Sequence, residues 1–383
     1  MTAPRLVVLG AGFGGLSFLR SLEKDPVSRG LEVMLVDRNA YTTLVPELYA
    51  VAAGTADAGA VTVPIRLPER RFRQAEVSGL DLAPREVLLT SGRLAYDYLV
   101  VALGSRNQFY GVPGAAEHTR TLRTLEEALA VRREIQHLPA GASVAVVGGG
   151  LTGLEVTAEV AATRPDLKLT LLEALPYLAN GFPAGQQAWV RGELERQGVQ
   201  VRTQTQVQRV EPGLLHLAGT DPVPFDLAIW AAGVTPPPLL REAGLAVDRQ
   251  GRVLVDQAQR SLTDPRVFVV GDCAAGPAAP SAQLAELQGQ RAAVALGALL
   301  RGEEAAPQPL RLRGTLASLG PRQGFGTLGP LPLAGSVPVR GRLPLRLKHM
   351  VTARYREDVR RFLSRPGKEA AAGPVVDTRK ASG

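Results

Sequence analysis

Six glycines and three carboxylates in this chain stand at spacings suited to holding phosphate and ribose. In LVVLGAGFGGLSFLR, residues 6–20, an apolar run breaks at Gly10, Gly12 and Gly15. VAVVGGGLTGLEVTAEV, residues 144–160, repeats the break at Gly148, Gly150 and Gly153. The first glycine of such a set allows a tight turn, and the second lets backbone approach a pyrophosphate. The third permits close packing of helix on strand, with the helix N-terminus facing the anion. Asp37 closes EVMLVD 22 residues after Gly15, and Glu173 closes LTLLE 20 residues after Gly153. A carboxylate there accepts hydrogen bonds from a ribose, and Glu173 repels a 2′-phosphate, which favours NADH over NADPH. The third acid, Glu155, lies two residues past Gly153; near a helix start it is at least a partner for the helix dipole.

These residues need two strand–turn–helix units, each with a second strand carrying its acid. The 383 residues, 45% of them hydrophobic, are enough for two α/β domains of ordinary size. Cys273 is the single cysteine, so an intramolecular disulfide, a CxxC pair and a cysteine-rich metal site are all excluded, and no metal is expected. Redox chemistry must then come from a bound cofactor. The net charge is +8. Residues 340–365 carry nine basic and two acidic residues, a balance of +7, so the remaining chain carries only +1. That distribution argues against a general nucleic-acid coat. No apolar run approaches the length of a membrane span, and the chain reads as cytoplasmic.

With two cradles, the sequence resembles the two-dinucleotide-binding-domain flavoproteins, whose N-terminal cradle takes FAD and whose inner cradle takes NAD(P)H. YDYLVVALGS (96–105), DLAIWAAGV (226–234) and VFVVGDCAA (267–275) resemble the remaining landmarks of that family. The implied fold is α/β, with two Rossmann-like domains and the NAD domain inserted in the FAD domain. FAD would occupy residues 1–110 and 240–325, and NAD residues 111–239. Residues 326–383 form a basic amphipathic segment ending flexibly from Pro366.

Within that family, thiol-dependent members are excluded by the single cysteine. RNAYTTLVPELYAVAAG (38–54) and PSAQLAELQGQRAA (280–293) resemble type II NADH dehydrogenases, the single-subunit NADH:quinone oxidoreductases. Ala282, Gln283 and Ala285 match an AQxAxQ quinone motif, whose second Gln is Leu287 here, followed by Gln288. Independently, Ser281 after Pro280 reads as the N-cap of that helix. The resemblance implies that FAD is held by Gly10, Gly12, Gly14, Gly15, Asp37, Arg38, Pro46, Ala102, Gly104, Gly271, Asp272 and Ala282. It implies that NADH is held by Gly148, Gly150, Gly153, Glu173 and Gly233, with Glu155 and Gln283 catalytic. Cys273 is expected to be a small packing residue.

The implied reaction is hydride transfer from NADH to FAD, then two electrons to a quinone. Two alternatives stay open: a soluble flavin reductase or oxidase serving oxygen or a small carrier, and a nucleotide-binding flavoprotein acting mainly through interactions. A homodimer also stays open. In the tail, Leu347, Val351, Tyr355, Val359 and Phe362 recur at helical spacing, while Arg346, Lys348, Arg354, Arg356, Arg360 and Arg361 fill a basic face. Such a helix either packs its stripe on the FAD domain or adsorbs peripherally to an anionic membrane surface on its inner, cytoplasmic face.

Overall fold

A computed structural model describes residues 3–276, 278–305, 309–331 and 335–364. The end expected to be flexible from Pro366 lies outside the described residues. Leu6–Leu9, Leu99–Val101 and Val267–Val270 are continuous apolar runs, and all are buried. Runs without polar alternation suit parallel strands covered on both faces. They form a five-stranded parallel sheet in the order Val267–Val269, Tyr98–Val101, Arg5–Leu9, Glu32–Asp37, Phe72–Gln74. A second parallel sheet is ordered Gln200–Arg202, Lys168–Leu172, Ser143–Val147, Leu227–Trp230.

The strand Val267–Val269 returns to the first sheet after the whole second sheet has been built, which is the expected insertion. The two crossings run side by side, with Arg106–Asn107 paired antiparallel to Val234–Thr235. The duplication extends beyond the glycines. Each half carries a three-stranded antiparallel meander, over Val77–Ala95 in one and Val207–Pro224 in the other.

The helix Ala282–Leu300 lies directly on the first-cradle helix, Phe13–Leu22. Gly14 and Gly289 form their crossing point: a Cβ on Gly289 would strike the Gly14 carbonyl and come within 2.9 Å of the Phe18 amide. Ser281 caps the longer helix as expected, accepting from Leu284 N at 3.2 Å.

The C-terminal region differs from its sequence reading. Gly314–Ser318, Gly324–Leu331 and Gly335–Gly341 form an antiparallel sheet that the sequence analysis did not anticipate. It leads into a helix, Arg342–Leu363, which buries Val359, Phe362 and Leu363 in the core of the first sheet. On the other side Gln186 Nε2 donates to the carbonyls of Gly326 and Val339, at 2.5 and 2.9 Å, and Phe182 meets Phe325 edge-on. This segment therefore braces both nucleotide-binding halves. Two assignments on the helix are corrected. Val351, expected in the apolar stripe, is 59% exposed, and Lys348, expected on the basic face, is buried. The inward seam runs through Lys348, Tyr355 and Phe362, two helical turns apart, and Val351 lies off that line.

Candidate functional site

The two cradles are built alike. Gly10 and Gly148 have φ of +100° and +114°, a region that L side chains rarely adopt. Their Cβ positions are blocked by the next strand, with Ala102 C at 2.9 Å from the first and Ala231 O at 2.6 Å from the second. A Cβ on Gly15 would strike the Gly10 carbonyl, and one on Gly153 the Gly148 carbonyl. Gly12 and Gly150 are different: nothing lies within 4 Å of a Cβ at either. Each is the N-cap of its helix, and no side chain caps it. The first-turn amides are thus left facing open space, which fits a pyrophosphate.

The terminal acids are pinned identically. Asp37 accepts from Ala11 N at 2.7 Å and Asn39 N at 2.9 Å; Glu173 accepts from Gly149 N at 2.6 Å and Leu175 N at 2.8 Å. Burial raises the Asp37 pKa against the pull of these amides. Arg38 follows as an exposed side chain whose carbonyl accepts from Gln74 Nε2 at 3.0 Å.

At the C-terminal edge of the first sheet, Ala102 leads to Gly104, whose carbonyl accepts from Cys273 Sγ at 3.0 Å. The thiol is fully buried, and burial pushes its pKa up, so Cys273 is a packing residue and not a nucleophile. Asp272 Oδ2 accepts from Ser105 Oγ at 2.6 Å, and Arg123 Nη2 lies 2.7 Å from Ser105 Oγ and 3.5 Å from Asp272 Oδ2. Arg123 Nε is buried with no partner among the described residues, an orphan donor beside the turn Gly271–Cys273. Gln288 Oε1 accepts from Gly271 N at 2.8 Å, holding the same turn from the helix behind it. The displaced glutamine of the AQxAxQ-like stretch therefore supports Asp272 through the backbone. Gln283 is engaged elsewhere, accepting from Arg313 N at 2.8 Å. Gly233 sits under the ring of Tyr110, whose hydroxyl donates to the Ala232 carbonyl at 3.2 Å.

Glu155 is the fifth residue of the helix Leu151–Thr163, and no acid stands in its first turn, so it is not a dipole partner. It is 6% exposed and accepts from Ser318 N at 3.0 Å and from Lys348 Nζ at 2.7 Å. Lys348 also donates to Tyr49 Oη at 2.8 Å and lies 3.4 Å from Glu47 Oε1. Glu47 follows Pro46, which is exposed in the turn Val45–Glu47. Burial raises the Glu155 pKa, with Lys348 and Ser318 pulling it back. Burial works against the Lys348 ammonium, but Glu155, Tyr49 and Glu47 outweigh it and hold the lysine charged. Two segments distant in sequence, residues 47–49 and Glu155, thus converge on one ammonium. Lys348, Tyr49, Glu47, Ser318, Arg123, Ser105 and Gln288 were all missed as site residues. Two of them left a sequence signal: Lys348 in the seven-residue steps from it to Tyr355 and on to Phe362, and Gln288 in its place next to the second Gln position of the AQxAxQ-like stretch.

Two nucleotide cradles in series, with no dithiol between them, define a flavoprotein-type pyridine nucleotide oxidoreductase fold. The chain belongs to the pyridine nucleotide-disulphide oxidoreductase family, whose model matches residues 4–293. It is 32% identical to the NADH dehydrogenase-like protein YutJ of Bacillus subtilis, over 87% of this chain and 95% of that one. It is 28% identical to a type II NADH:quinone oxidoreductase of Staphylococcus aureus, over 86% and 91%. The structure of NDH2 from Plasmodium falciparum in complex with NADH shares the fold, with TM-score 0.82 and 17% identity, covering 94% of this chain and 96% of that one. The lone cysteine separates this chain from the disulphide chemistry in the family's name.

Proposed function

We propose that the protein is an FAD-dependent NADH dehydrogenase that delivers two electrons to a quinone. The observation that carries this reading is the pair of open cradles, each closed by an acid, in a chain related to type II NADH:quinone oxidoreductases. When bound, FAD supplies a ring that accepts a hydride and passes its electrons on. The chain's own residues bind, orient and exclude water. FAD lies along residues 1–110 and 240–325, with Gly10, Gly12, Gly14 and Gly15 at its pyrophosphate and Asp37 and Arg38 at the adenosine end. Asp272, on the turn fixed by Gly271 and Gln288, takes the ribityl chain, with Ala102, Gly104 and Arg123 alongside. Pro46 and the N-terminus of the helix at Ala282 border the ring, where free helix amides favour negative charge.

NADH lies along residues 111–239, on Gly148, Gly150 and Gly153, with Glu173 at its ribose and Gly233 opposite. Glu155, fixed by Lys348, sets the face on which nicotinamide meets the ring, and Gln283 borders the acceptor side. Anaerobic mixing tests this reading: NADH bleaches the yellow protein, and a quinone analogue restores the colour faster than oxygen does. Reoxidation by oxygen alone would favour the flavin-oxidase alternative. Because Glu173 carries a charge at the ribose, NADPH is expected to bleach about tenfold or more slowly, from one unfavourable charge contact of about 1.4 kcal/mol. Equal rates would remove Glu173 from that role.

The same reading places the protein peripherally on a membrane's inner face. No described helix is long and apolar enough to cross a membrane. On the C-terminal helix, however, Leu343, Met350 and Val351 are 60%, 60% and 59% exposed, among exposed Arg342, Arg346 and Arg354. Apolar insertion combined with basic attraction of about 1 kcal/mol per residue gives reversible adsorption, weakened by salt. Full-length protein is therefore expected to cosediment with anionic vesicles at low salt, and Met350→Ser with Val351→Ser to reduce the bound fraction. Supernatant protein at low salt would refute the membrane assignment. Substitution is preferable to truncation here, because deleting the helix would remove the Lys348 partner of Glu155.

A further inference from the structure

Most acids around the cradles are tied down. Glu155 has Lys348, Glu159 has Thr55 Oγ1 at 2.6 Å, Asp272 has Ser105, and Asp37 and Glu173 have backbone amides. Glu286 is the exception. Its half-buried side chain has no hydrogen bond or ion pair among the described residues, although its backbone carbonyl accepts from Ser17 Oγ at 3.0 Å. It lies one helical turn beyond Gln283, so both side chains share one face of the helix Ala282–Leu300. Arg313 links them: its amide bonds Gln283, and its charge acts on Glu286. The C-terminal helix supplies Tyr355, stacked on Phe13 with ring centroids 4.5 Å apart, and Asp358, paired with Arg20 at 3.4 Å.

We propose that the Glu286 carboxyl, at the seam between this helix and the C-terminal helix, donates a proton to the electron acceptor. The assignment rests on the quinone reading above. Reducing a quinone to a quinol takes two electrons and two protons. The hydride of NADH accounts for two electrons and one proton, so one proton must come from solvent. Glu286, as the acid, gives that proton to a quinone oxygen, and the resulting carboxylate is reprotonated by water at its exposed side. A carboxyl fixed by a salt bridge, like that of Glu155, is poorly suited to this task; an unpaired one with solvent contact is well suited.

The local charges set the titration. Burial raises the Glu286 pKa to about 7; Arg20 and Arg313 pull it down, and Asp358 pushes it up. Tyr355, the other titratable group on the C-terminal helix there, is pushed up by its own burial and by Glu286, so it stays protonated. The acid form of Glu286 is therefore lost as pH rises through about 7.

The test begins with enzyme reduced anaerobically by NADH, then mixed either with a water-soluble quinone or with ferricyanide, which takes electrons without protons. With quinone, wild-type reoxidation should slow as pH rises through about 7. Glu286→Gln should lower the quinone rate about 100-fold, the lower end for a positioned proton donor, and abolish the pH inflection. Glu286→Asp should keep the inflection. Ferricyanide rates should distinguish proton delivery from structural damage, since they depend on electrons alone. Equal slowing with both acceptors, or an unchanged quinone rate, overturns the assignment. If no quinone reoxidises the wild type, the quinone reading itself falls and takes this assignment with it.

A second measurement needs no turnover. A carboxyl whose folded pKa is raised contributes stability that is full below its unfolded value and lost as pH rises through the folded value. Wild-type protein should therefore lose stability relative to Glu286→Gln as pH rises from the ordinary glutamate range through about 7. A flat difference across that window also overturns the assignment.

Discussion

Lys348→Met is expected to destabilise the protein by about 3–5 kcal/mol, the usual cost of removing one partner from a buried ion pair. Lys348 and Glu155 side chains are 8% and 7% exposed, and Glu47 approaches the same ammonium. Without the lysine, two carboxylates face each other in a desolvated pocket, with Ser318, Tyr49 and Thr352 as their donors among the described residues. The pH dependence follows from Glu155. Its folded pKa is already raised by burial, and Lys348 is what restrains the rise. In the variant the pKa rises further, so the lost stability is smallest in acid, where Glu155 is protonated, and grows as pH increases. Denaturant unfolding across pH measures this. Glu155→Gln in the Lys348→Met background should recover much of the loss, because the uncompensated charge goes with it. An unchanged unfolding midpoint, or no recovery in the double variant, would show that the pair does not hold the C-terminal helix in place.

The cradles were legible because their geometry is local. A glycine forced to positive φ, or crowded by a carbonyl five residues away, leaves its mark within one strand–turn–helix unit, and each acid closes the next strand of that unit. The insertion was legible through the resemblance of YDYLVVALGS, DLAIWAAGV and VFVVGDCAA to the family's landmarks. What the sequence did not show is long-range. Lys348 reads as one more basic residue until the helix is docked, and its partners lie 193 and 299 residues away. The C-terminal sheet was hidden by glycines at 324, 326, 335 and 341, which look like loop residues. Gly324 and Gly326 are glycines because strand neighbours crowd them, with backbone or side-chain atoms at 2.7–3.0 Å from a Cβ. Gln288 stands one place past the motif's second Gln position. At about 100° per residue that shift moves the side chain to a different helix face, and there it meets the Gly271 amide.

Gly12→Val and Gly150→Val should separate the two nucleotides. Both positions have extended backbone, with φ −81° at Gly12 and −77° at Gly150, which valine adopts without strain. Neither Cβ would meet any atom of the protein, so both variants should fold. The added side chain instead fills the space kept for a pyrophosphate. Overpacking costs about 1–3 kcal/mol and the displaced helix-amide contacts add to it, so affinity should fall about 100-fold or more. Gly12→Val is expected to purify colourless. Gly150→Val should remain yellow yet bleach slowly, with NADH binding weakened. Gly153→Val makes the control, since its Cβ would strike the Gly148 carbonyl and damage the fold itself. Thermal unfolding distinguishes these cases: near wild-type for the two cradle variants after correction for lost ligand, and clearly lowered for Gly153→Val. If Gly12→Val keeps its flavin and loses NADH, the cradles have been assigned in the wrong order. If both variants bind both nucleotides normally, the open spaces are not pyrophosphate sites.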